Sequence, residues 1–129
     1  GLSGTSGDMR DVWTAAGSGN ADARLAVGVL VNDIRRYIGA FMVQMGGVDC
    51  ITFSGGIGER DPGVRAMALA GLEEFGIKVD PARNVAKGVE ARISADDSRV
   101  RVFTVKTNEE LIVARAAKAA VPARSSRED

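Results

Sequence analysis

A short apolar segment that stops abruptly at a cluster of glycines constrains the fold of this chain more than any other feature. Residues 51–53 read Ile-Thr-Phe, and three glycines follow within four positions, at Gly55, Gly56 and Gly58. β-Branched and aromatic residues favour a buried strand. The glycines allow positive φ or a close approach of the backbone to a ligand. The segment therefore predicts a buried strand that ends in a binding loop.

A helix is predicted directly after this loop. Asp61 is placed to cap the helix, Pro62 suits its first position, and apolar residues continue to Phe75. The carboxyl end of a parallel strand that opens into a helix is where α/β proteins bind nucleotides and phosphates. The glycine spacing fits neither the dinucleotide fingerprint nor the P-loop. From spacing alone, a plain glycine-rich turn between strand and helix is an equal alternative.

Composition narrows the class of protein. The length of 129 residues suits one domain, and the 17 basic residues equal the 17 acidic residues in number. Nucleic-acid binding is therefore not expected, because such proteins need a basic excess. Residues 25–45 are too polar for a membrane span, and no secretory signal opens the sequence. The single cysteine, Cys50, can form no internal disulfide, which suits a reducing cytoplasm. It is predicted to lie in the core. With no histidine, any metal would be bound by oxygen.

Further elements are predicted on both sides of the glycine cluster. A short helix starts at Ser6 or Asp8 and ends near Gly17. A long amphipathic helix follows from Asn20 to Gly46-Gly47, with a core face predicted at Val27, Leu30, Ile34, Ile38, Phe41 and Met45.

The remaining predicted elements are an edge strand at residues 76–79, a weak strand at 89–94, a strong strand at 99–105 and a last helix at 108–120. That last helix is expected to bury Leu111, Ile112 and Ala114. Strands 49–53 and 100–105 with helix 62–75 form a βαβ-like crossover, and residues 122–129 read as a disordered tail.

Acidic residues open the last helix, just after the second confident strand. Thr107 and Glu110 have the spacing of a capping box, which would need no ligand. Glu109 is not used by that box, so it is a candidate for holding Mg²⁺ beside nucleotide phosphates. Asp8 and Arg10 offer a similar choice between a solvated helix start and contacts with a nucleoside. Arg35-Arg36 on the long helix is expected to be a solvated edge.

Three separated motifs together resemble the acetate kinase family and its propionate kinase relatives. These are Ser-Gly-Thr-Ser-Gly-Asp-Met-Arg-Asp at residues 3–11, Phe-Ser-Gly-Gly-Ile-Gly-Glu at 53–59 and Thr-Asn-Glu-Glu-Leu at 107–111. The likeness covers the chain from Gly1 to about Lys118. It implies an α/β fold of the ribonuclease H-like, actin-like ATPase type that sugar kinases share. Residues 1–121 then look like most of the second, carboxyl-terminal domain of such a protein, incomplete at its amino-terminal end.

The resemblance also implies a set of site residues. It assigns nucleotide binding to Asp8, Met9, Arg10, Gly55, Gly56, Ile57, Gly58, Glu59 and Arg60, and Mg²⁺ binding to Glu109. Two residues depart from the family pattern, because Arg60 stands where asparagine is usual and Lys106 where proline is usual. A long cation at position 60 could swing to solvent, pair with Asp61 or reach a phosphate.

The activity implied is Mg²⁺-dependent transfer of the ATP γ-phosphoryl group to acetate or propionate, giving an acyl phosphate and ADP. Residues 1–7 carry three glycines and three hydroxyl side chains, which is too flexible to begin an independent fold, so the chain is expected to start within a longer protein. The resemblance places the family's phosphate-clamping arginines, aspartate and histidine before Gly1, so the chain is expected to lack catalytic residues and to be inactive alone. A homodimer through residues 20–45 is also expected. The alternatives are a butyrate or sugar kinase of the same superfamily, and a non-catalytic nucleotide-binding or dimerisation module.

Overall fold

The computed structural model describes residues 1–85, 87 and 89–120, and it shows a mixed α/β fold, as predicted. The α-helices in this part of the chain are α1 (Met9–Gly17), α2 (Ala21–Gln44), α3 (Gly55–Arg60), α4 (Pro62–Leu69), α5 (Pro81–Asn84) and α6 (Glu109–Ala120). The strands are β1 (Cys50–Phe53), β2 (Ala91–Arg92) and β3 (Arg101–Thr104), and a 3₁₀ turn spans Glu73–Phe75. The tail predicted at residues 122–129 lies outside the described residues.

The three strands form one small sheet in the order β1-β3-β2. β1 and β3 are parallel, with Phe53 opposite Thr104, so the predicted crossover is confirmed. β2 pairs with β3 in the antiparallel direction. Residues 76–79 were expected to form an edge strand, but they contribute only one bridge, between Val79 and Ser94. The parallel pair therefore brings the ends of β1 and β3, and the turns that follow them, to the same edge of the sheet.

β1 is less buried than its composition predicts. Phe53 is buried and Ile51 is half-buried, whereas Cys50 and Thr52 are exposed. The prediction of a core cysteine is therefore wrong. The physical reason is that β1 is the outer strand of the sheet, and Cys50 lines an open groove between this strand and α2.

The two amino-terminal helices form their own small core. Asp8 caps α1 and Asn20 caps α2, each by accepting a backbone N–H hydrogen bond, as expected of these residue types. The buried side chains of this core are Val12, Ala16, Ala23, Val27 and Val31. The carboxyl-terminal half of α2 instead packs on the sheet through Ile34, Ile38 and Met42. Phe41 and Met45 were expected to face the core, but both are exposed.

α4 is shorter than predicted. It ends at Leu69 rather than Phe75, because Ala70 is extended and Gly71 has a φ of 72°. The guanidinium of Arg35 on α2 donates hydrogen bonds to the carbonyl oxygens of Met67, Ala68 and Ala70 at distances of 3.3, 3.0 and 2.7 Å. Arg35 therefore satisfies the last carbonyl groups of α4, which corrects the expectation of a solvated edge.

α6 begins where predicted but does not bury its apolar side chains. Leu111, Ile112 and Val113 are 42%, 72% and 68% exposed. The expectation that this helix packs inward is therefore wrong within the part of the chain that the structure describes. None of the described helices has both the length and the apolar character needed to cross a membrane.

Candidate functional site

The glycine cluster after β1 folds into a short helix rather than an open loop. Gly55 has a φ of 73° and turns the chain from the strand into α3. A Cβ at Gly58 would lie 3.2 Å from the carbonyl carbon of Phe53, so glycine allows α3 to pack on the end of β1. A Cβ at Gly56 would meet nothing within 4 Å. Gly56 therefore leaves its side of α3 open.

The start of α1 carries the second predicted segment. The Asp8 carboxylate accepts hydrogen bonds from the Arg10 backbone N–H at 2.9 Å and from the Arg10 guanidinium at 2.5 Å. Hydrogen bonds from Arg10 lower the pKa of Asp8 to about 2. Asp8 is thus an ionised helix cap at neutral pH. The Arg10 side chain is 90% exposed, so it is available to an anionic or planar ligand.

Trp13 holds α1 against the residues that follow α3. The indole N–H of Trp13 donates to Oδ2 of Asp61 at 2.6 Å. The other carboxylate oxygen of Asp61 accepts the N–H of Val64 at 3.0 Å and caps α4, as predicted. The Trp13 ring also lies against Gly63, where a Cβ would be 3.1 Å from the ring. These contacts join segments 48 residues apart in sequence.

A cavity of 920 Å³ lies where these segments meet. It is lined by predicted site residues from both segments, namely Asp8, Met9 and Arg10 at the start of α1 and Gly56, Ile57 and Arg60 on α3. Lys87 lies on its wall and had no sequence signal, because a lone lysine in a polar stretch resembles any solvated residue. Arg10, Arg60 and Lys87 give the cavity more basic than acidic side chains, since Asp8 and Asp61 are its acidic residues.

A smaller cavity of 450 Å³ adjoins the first at Gly56 and Arg60. Its remaining walls come from Glu59 and from Thr107, Asn108 and Glu110 at the start of α6. The helix cap here is Asn108, whose side-chain oxygen accepts the N–H of Leu111 at 3.0 Å. The prediction of a capping box from Thr107 to Glu110 is therefore wrong. With Asn108 as the cap, Glu110 is the second residue of the helix instead of the third.

The metal candidate can be placed only in part. Glu109 is the first residue of α6, beside the smaller cavity, and its side chain lies outside what the structure describes. Among the described residues, no group of three acidic or cysteine side chains is arranged to hold a metal by itself.

Glu59 is buried, with 7% of its surface exposed, and its carboxylate contacts protein groups. One oxygen, Oε1, accepts the Gly55 N–H at 3.1 Å, the Thr107 N–H at 2.9 Å and the Thr107 hydroxyl at 3.0 Å. The Thr107 backbone hydrogen bond is the main cause of a lowered pKa for Glu59, and it outweighs the effect of burial. Glu59 is thus an ionised acceptor between the turns after β1 and β3.

Sequence reasoning missed one buried residue that supports the site. Arg65 on α4 has no exposed surface, and its guanidinium donates to the Gly58 carbonyl at 2.8 Å. It also donates to the side-chain and backbone oxygens of Asn84 at 2.9 and 2.7 Å. Burial lowers the pKa of Arg65. Through Arg65, the end of α3 is tied to α4 and α5.

Comparison with known proteins decides the family. The model of the acetokinase family matches residues 1–115. The chain belongs to the acetokinase family. Acetate kinases from Leifsonia xyli and Dictyoglomus turgidum are 52% and 50% identical to it over 118 and 115 residues, covering 91% and 89% of the chain.

Solved structures of acetokinase relatives agree with this assignment. The crystal structure of Porphyromonas gingivalis acetate kinase is 36% identical, with a TM-score of 0.84 over 92% of this chain. A propionate kinase from Francisella tularensis is 30% identical, with a TM-score of 0.75 over 89%. The chain spans 30% of each of these two structures, and 30% and 28% of the Leifsonia and Dictyoglomus sequences. The predicted resemblance to this family is confirmed.

Proposed function

We propose that this chain is the nucleotide-binding part of a phosphotransferase that moves the γ-phosphoryl group of ATP to the carboxylate of acetate or propionate. The bond between the γ-phosphorus and the bridging oxygen breaks, a bond from phosphorus to a carboxylate oxygen forms, and ADP leaves. The observation that carries the proposal is a cavity lined by residues of both predicted nucleotide segments, residues 8–10 and 56–60. Membership of the acetokinase family supplies the reaction class.

Within this proposal the larger cavity holds the nucleoside. Gly56 offers an open face of α3, and Asp8, Met9, Ile57 and Arg10 offer polar and apolar walls. Gly55 and Gly58 shape the turn into α3 and its packing on β1, so they act through the backbone. Arg60, which both cavities share, is positioned to meet phosphate oxygens.

The smaller cavity is the place for the phosphate groups and for Mg²⁺. The oxygen-bearing side chains at the start of α6 suit Mg²⁺, which commonly binds one or two carboxylates together with substrate phosphates and water. Glu109 is the proposed ligand, and Glu110 lines the same cavity. When bound, Mg²⁺ would neutralise phosphate charge. This chain's own contribution is to line the smaller cavity with a basic side chain, Arg60, and an acidic one, Glu110, beside those phosphates.

The overall architecture proposed is a ribonuclease H-like second domain of the actin-like ATPase type. Its parallel β1–β3 pair and the site at the strand ends support this placement. Phosphoryl transfer needs positive charge and alignment from several sides. The chain spans only 28% and 30% of the Dictyoglomus and Leifsonia acetate kinases. We therefore propose that the 129-residue chain binds nucleotide but does not turn it over by itself.

The proposal is tested by calorimetric titration of the chain with MgATP and MgADP, followed by an assay for acyl phosphate with acetate, propionate, butyrate and a sugar. We expect both nucleotides to bind and no acceptor to be phosphorylated. A folded chain, verified by circular dichroism, that binds neither nucleotide would contradict the proposed site. Phosphorylation of a sugar by the chain would contradict the proposed acceptor class.

A further inference from the structure

The two turns that form the candidate site are joined by one buried side chain. Beyond the last ladder bond, in which the Val105 N–H donates to the Phe53 carbonyl at 2.9 Å, β1 and β3 lead into α3 and α6. From that point the Glu59 carboxylate connects them, because its Oε1 bonds both Gly55 and Thr107. Glu59 and Thr107 are 48 residues apart in sequence.

The geometry separates Glu59 from its neighbours on α3. Gly56, Ile57 and Arg60 line the larger cavity, whereas Glu59 lines only the smaller one. Its Oε1 has three donors from the protein, which is as many as a carboxylate oxygen commonly accepts. The side chain therefore has little capacity left at that oxygen for a nucleotide.

We propose that Glu59 is a positioning residue that aligns the turn before α6 with α3, so that a ligand occupying both cavities meets both walls at once. The inference rests on the proposed function, since it takes MgATP to be that ligand. α3 is the wall common to both cavities, through Gly56 and Arg60. A displacement of Thr107 relative to α3 would change the distance between the nucleoside walls and the acidic start of α6.

Charge is part of this arrangement. An ionised carboxylate accepts stronger hydrogen bonds than an amide oxygen, and the lowered pKa of Glu59 shows that its donors favour the charged form. Among the side chains that the structure describes, Arg60 on α3 and Glu110 on α6 are the charged neighbours of Glu59 in the smaller cavity. Arg60 also favours the ionised state of Glu59.

The functional test compares a ligand that spans both cavities with one that fills a single cavity. Affinities for MgATP and for adenosine are measured by the fluorescence of Trp13, the only tryptophan and a wall of the larger cavity. We expect Glu59→Ala to weaken MgATP binding about tenfold or more, since charge-assisted hydrogen bonds are lost. Adenosine binding should weaken less than about twofold, because its contacts on α3 and α1 remain.

Conservative variants separate positioning from general stability. Glu59→Gln should fall between wild type and Glu59→Ala, Thr107→Ser should bind MgATP as wild type does, and Thr107→Val should bind it less well. The double variant Glu59→Gln with Thr107→Val should lose less MgATP affinity than the two single losses combined, because both substitutions remove the same contact.

Glu74→Gln, on the exposed 3₁₀ turn, is the matched control and should leave both affinities unchanged. Equal weakening of MgATP and adenosine in Glu59→Ala would overturn the positioning role.

A second measurement does not depend on nucleotide. In amide NMR spectra of the wild-type chain recorded from neutral to acidic pH, Gly55 and Thr107 should shift together, with one midpoint below the ordinary value for glutamate. The shared transition should vanish in Glu59→Gln. Independent transitions at the two amides would overturn the bridge. Absence of MgATP binding by the unmodified chain would instead contradict the proposed function, so the two failures are distinguishable.

Discussion

Two neighbouring glycines of α3 have different physical reasons for being glycine. At Gly58 a Cβ would lie 3.2 Å from the carbonyl carbon of Phe53, so a side chain there would make α3 or the end of β1 shift by a few tenths of an ångström. At Gly56 a side chain would enter open space on the wall of the larger cavity. The fold therefore tolerates a larger residue at position 56, whereas a nucleoside in the cavity would not.

This difference predicts the behaviour of Gly56→Val. Its valine should fill part of the cavity and lower MgATP affinity by at least about tenfold, since overpacking a contact commonly costs on the order of 1–3 kcal/mol. The free energy of unfolding should change by less than about 1 kcal/mol, because valine is no worse than glycine in a helix. Titration calorimetry and urea unfolding measure the two quantities.

The matched control is Gly28→Val on α2, where a Cβ also meets nothing within 4 Å and which lies outside the cavity. It should leave MgATP affinity unchanged. If a folded Gly56→Val variant bound MgATP with wild-type affinity, α3 would not be part of the nucleotide site.

Among the helices, the sequence predicted the ends that are set by residues within the helix or next to it. The predicted cap of α4, Asp61, is confirmed, and so is Asp8, one of two candidates for α1. Asn20, predicted as the start of the long helix, caps α2. Each of these side chains can bond a free N–H locally. α3 was read as a loop because six residues with three glycines show no helical period. The end of α4 was missed because it depends on Gly71 and on Arg35 from another helix. Long-range contacts set these boundaries, and a local pattern does not contain them.

Some residues of the candidate site could be predicted from the sequence, and others could not. The meeting of residues 8–10 with residues 56–60 follows from a family resemblance, and no spacing in the sequence places them together. Arg65 was invisible because an arginine on a helix normally reaches solvent. Only the fold shows that its guanidinium is enclosed by α3 and α5.

Arg65 supplies a prediction at the scale of elements. Arg65→Met keeps much of the side-chain volume but leaves the Gly58 and Asn84 carbonyl groups without their donor. The free energy of unfolding should fall by about 2–4 kcal/mol, since buried acceptors lose charged partners. Amide hydrogen exchange should also accelerate in α3, because its last turn loses its anchor.

Arg36→Met is the control for this variant. Arg36 pairs with Asp33 at 3.2 Å on the surface of α2, and its side chain is 66% exposed. Its loss should cost less than about 1 kcal/mol, as exposed ion pairs usually do. If the two variants were equally stable in urea, the buried arginine would not anchor α3.

At the scale of the whole molecule, the main unexplained surface is an apolar groove of 630 Å³ between α2 and β1. Tyr37, Phe41 and Met45 on its rim are 55%, 52% and 63% exposed. The Tyr37 and Phe41 rings stack at 6.1 Å, and the Arg36 guanidinium lies 5.0 Å from the Tyr37 ring centre. Exposed apolar surface of this kind usually marks an interaction site. Met42, on the same half of α2, packs against the core instead of contributing to this surface.

We propose that this part of α2 joins two copies of the chain. Exposed apolar side chains can also adhere non-specifically, so a specific interface and non-specific adhesion must be separated. A specific interface should give one species of twice the monomer mass in sedimentation velocity over a range of micromolar concentrations. Non-specific adhesion through the exposed apolar side chains should give a broad distribution of sedimentation coefficients that changes with concentration.

Substitutions on opposite sides of α2 test the location of the interface. Phe41→Asp places a charge in the groove rim and should convert the dimer to a monomer, because an unpaired buried charge is strongly unfavourable. Val43 is 82% exposed and does not line the groove, so Val43→Asp should remain dimeric. Both variants should keep the wild-type circular dichroism spectrum, since neither side chain is buried. A wild-type chain that sediments as a clean monomer would rule out the interface, and dissociation by Val43→Asp alone would move it to the other side of the helix.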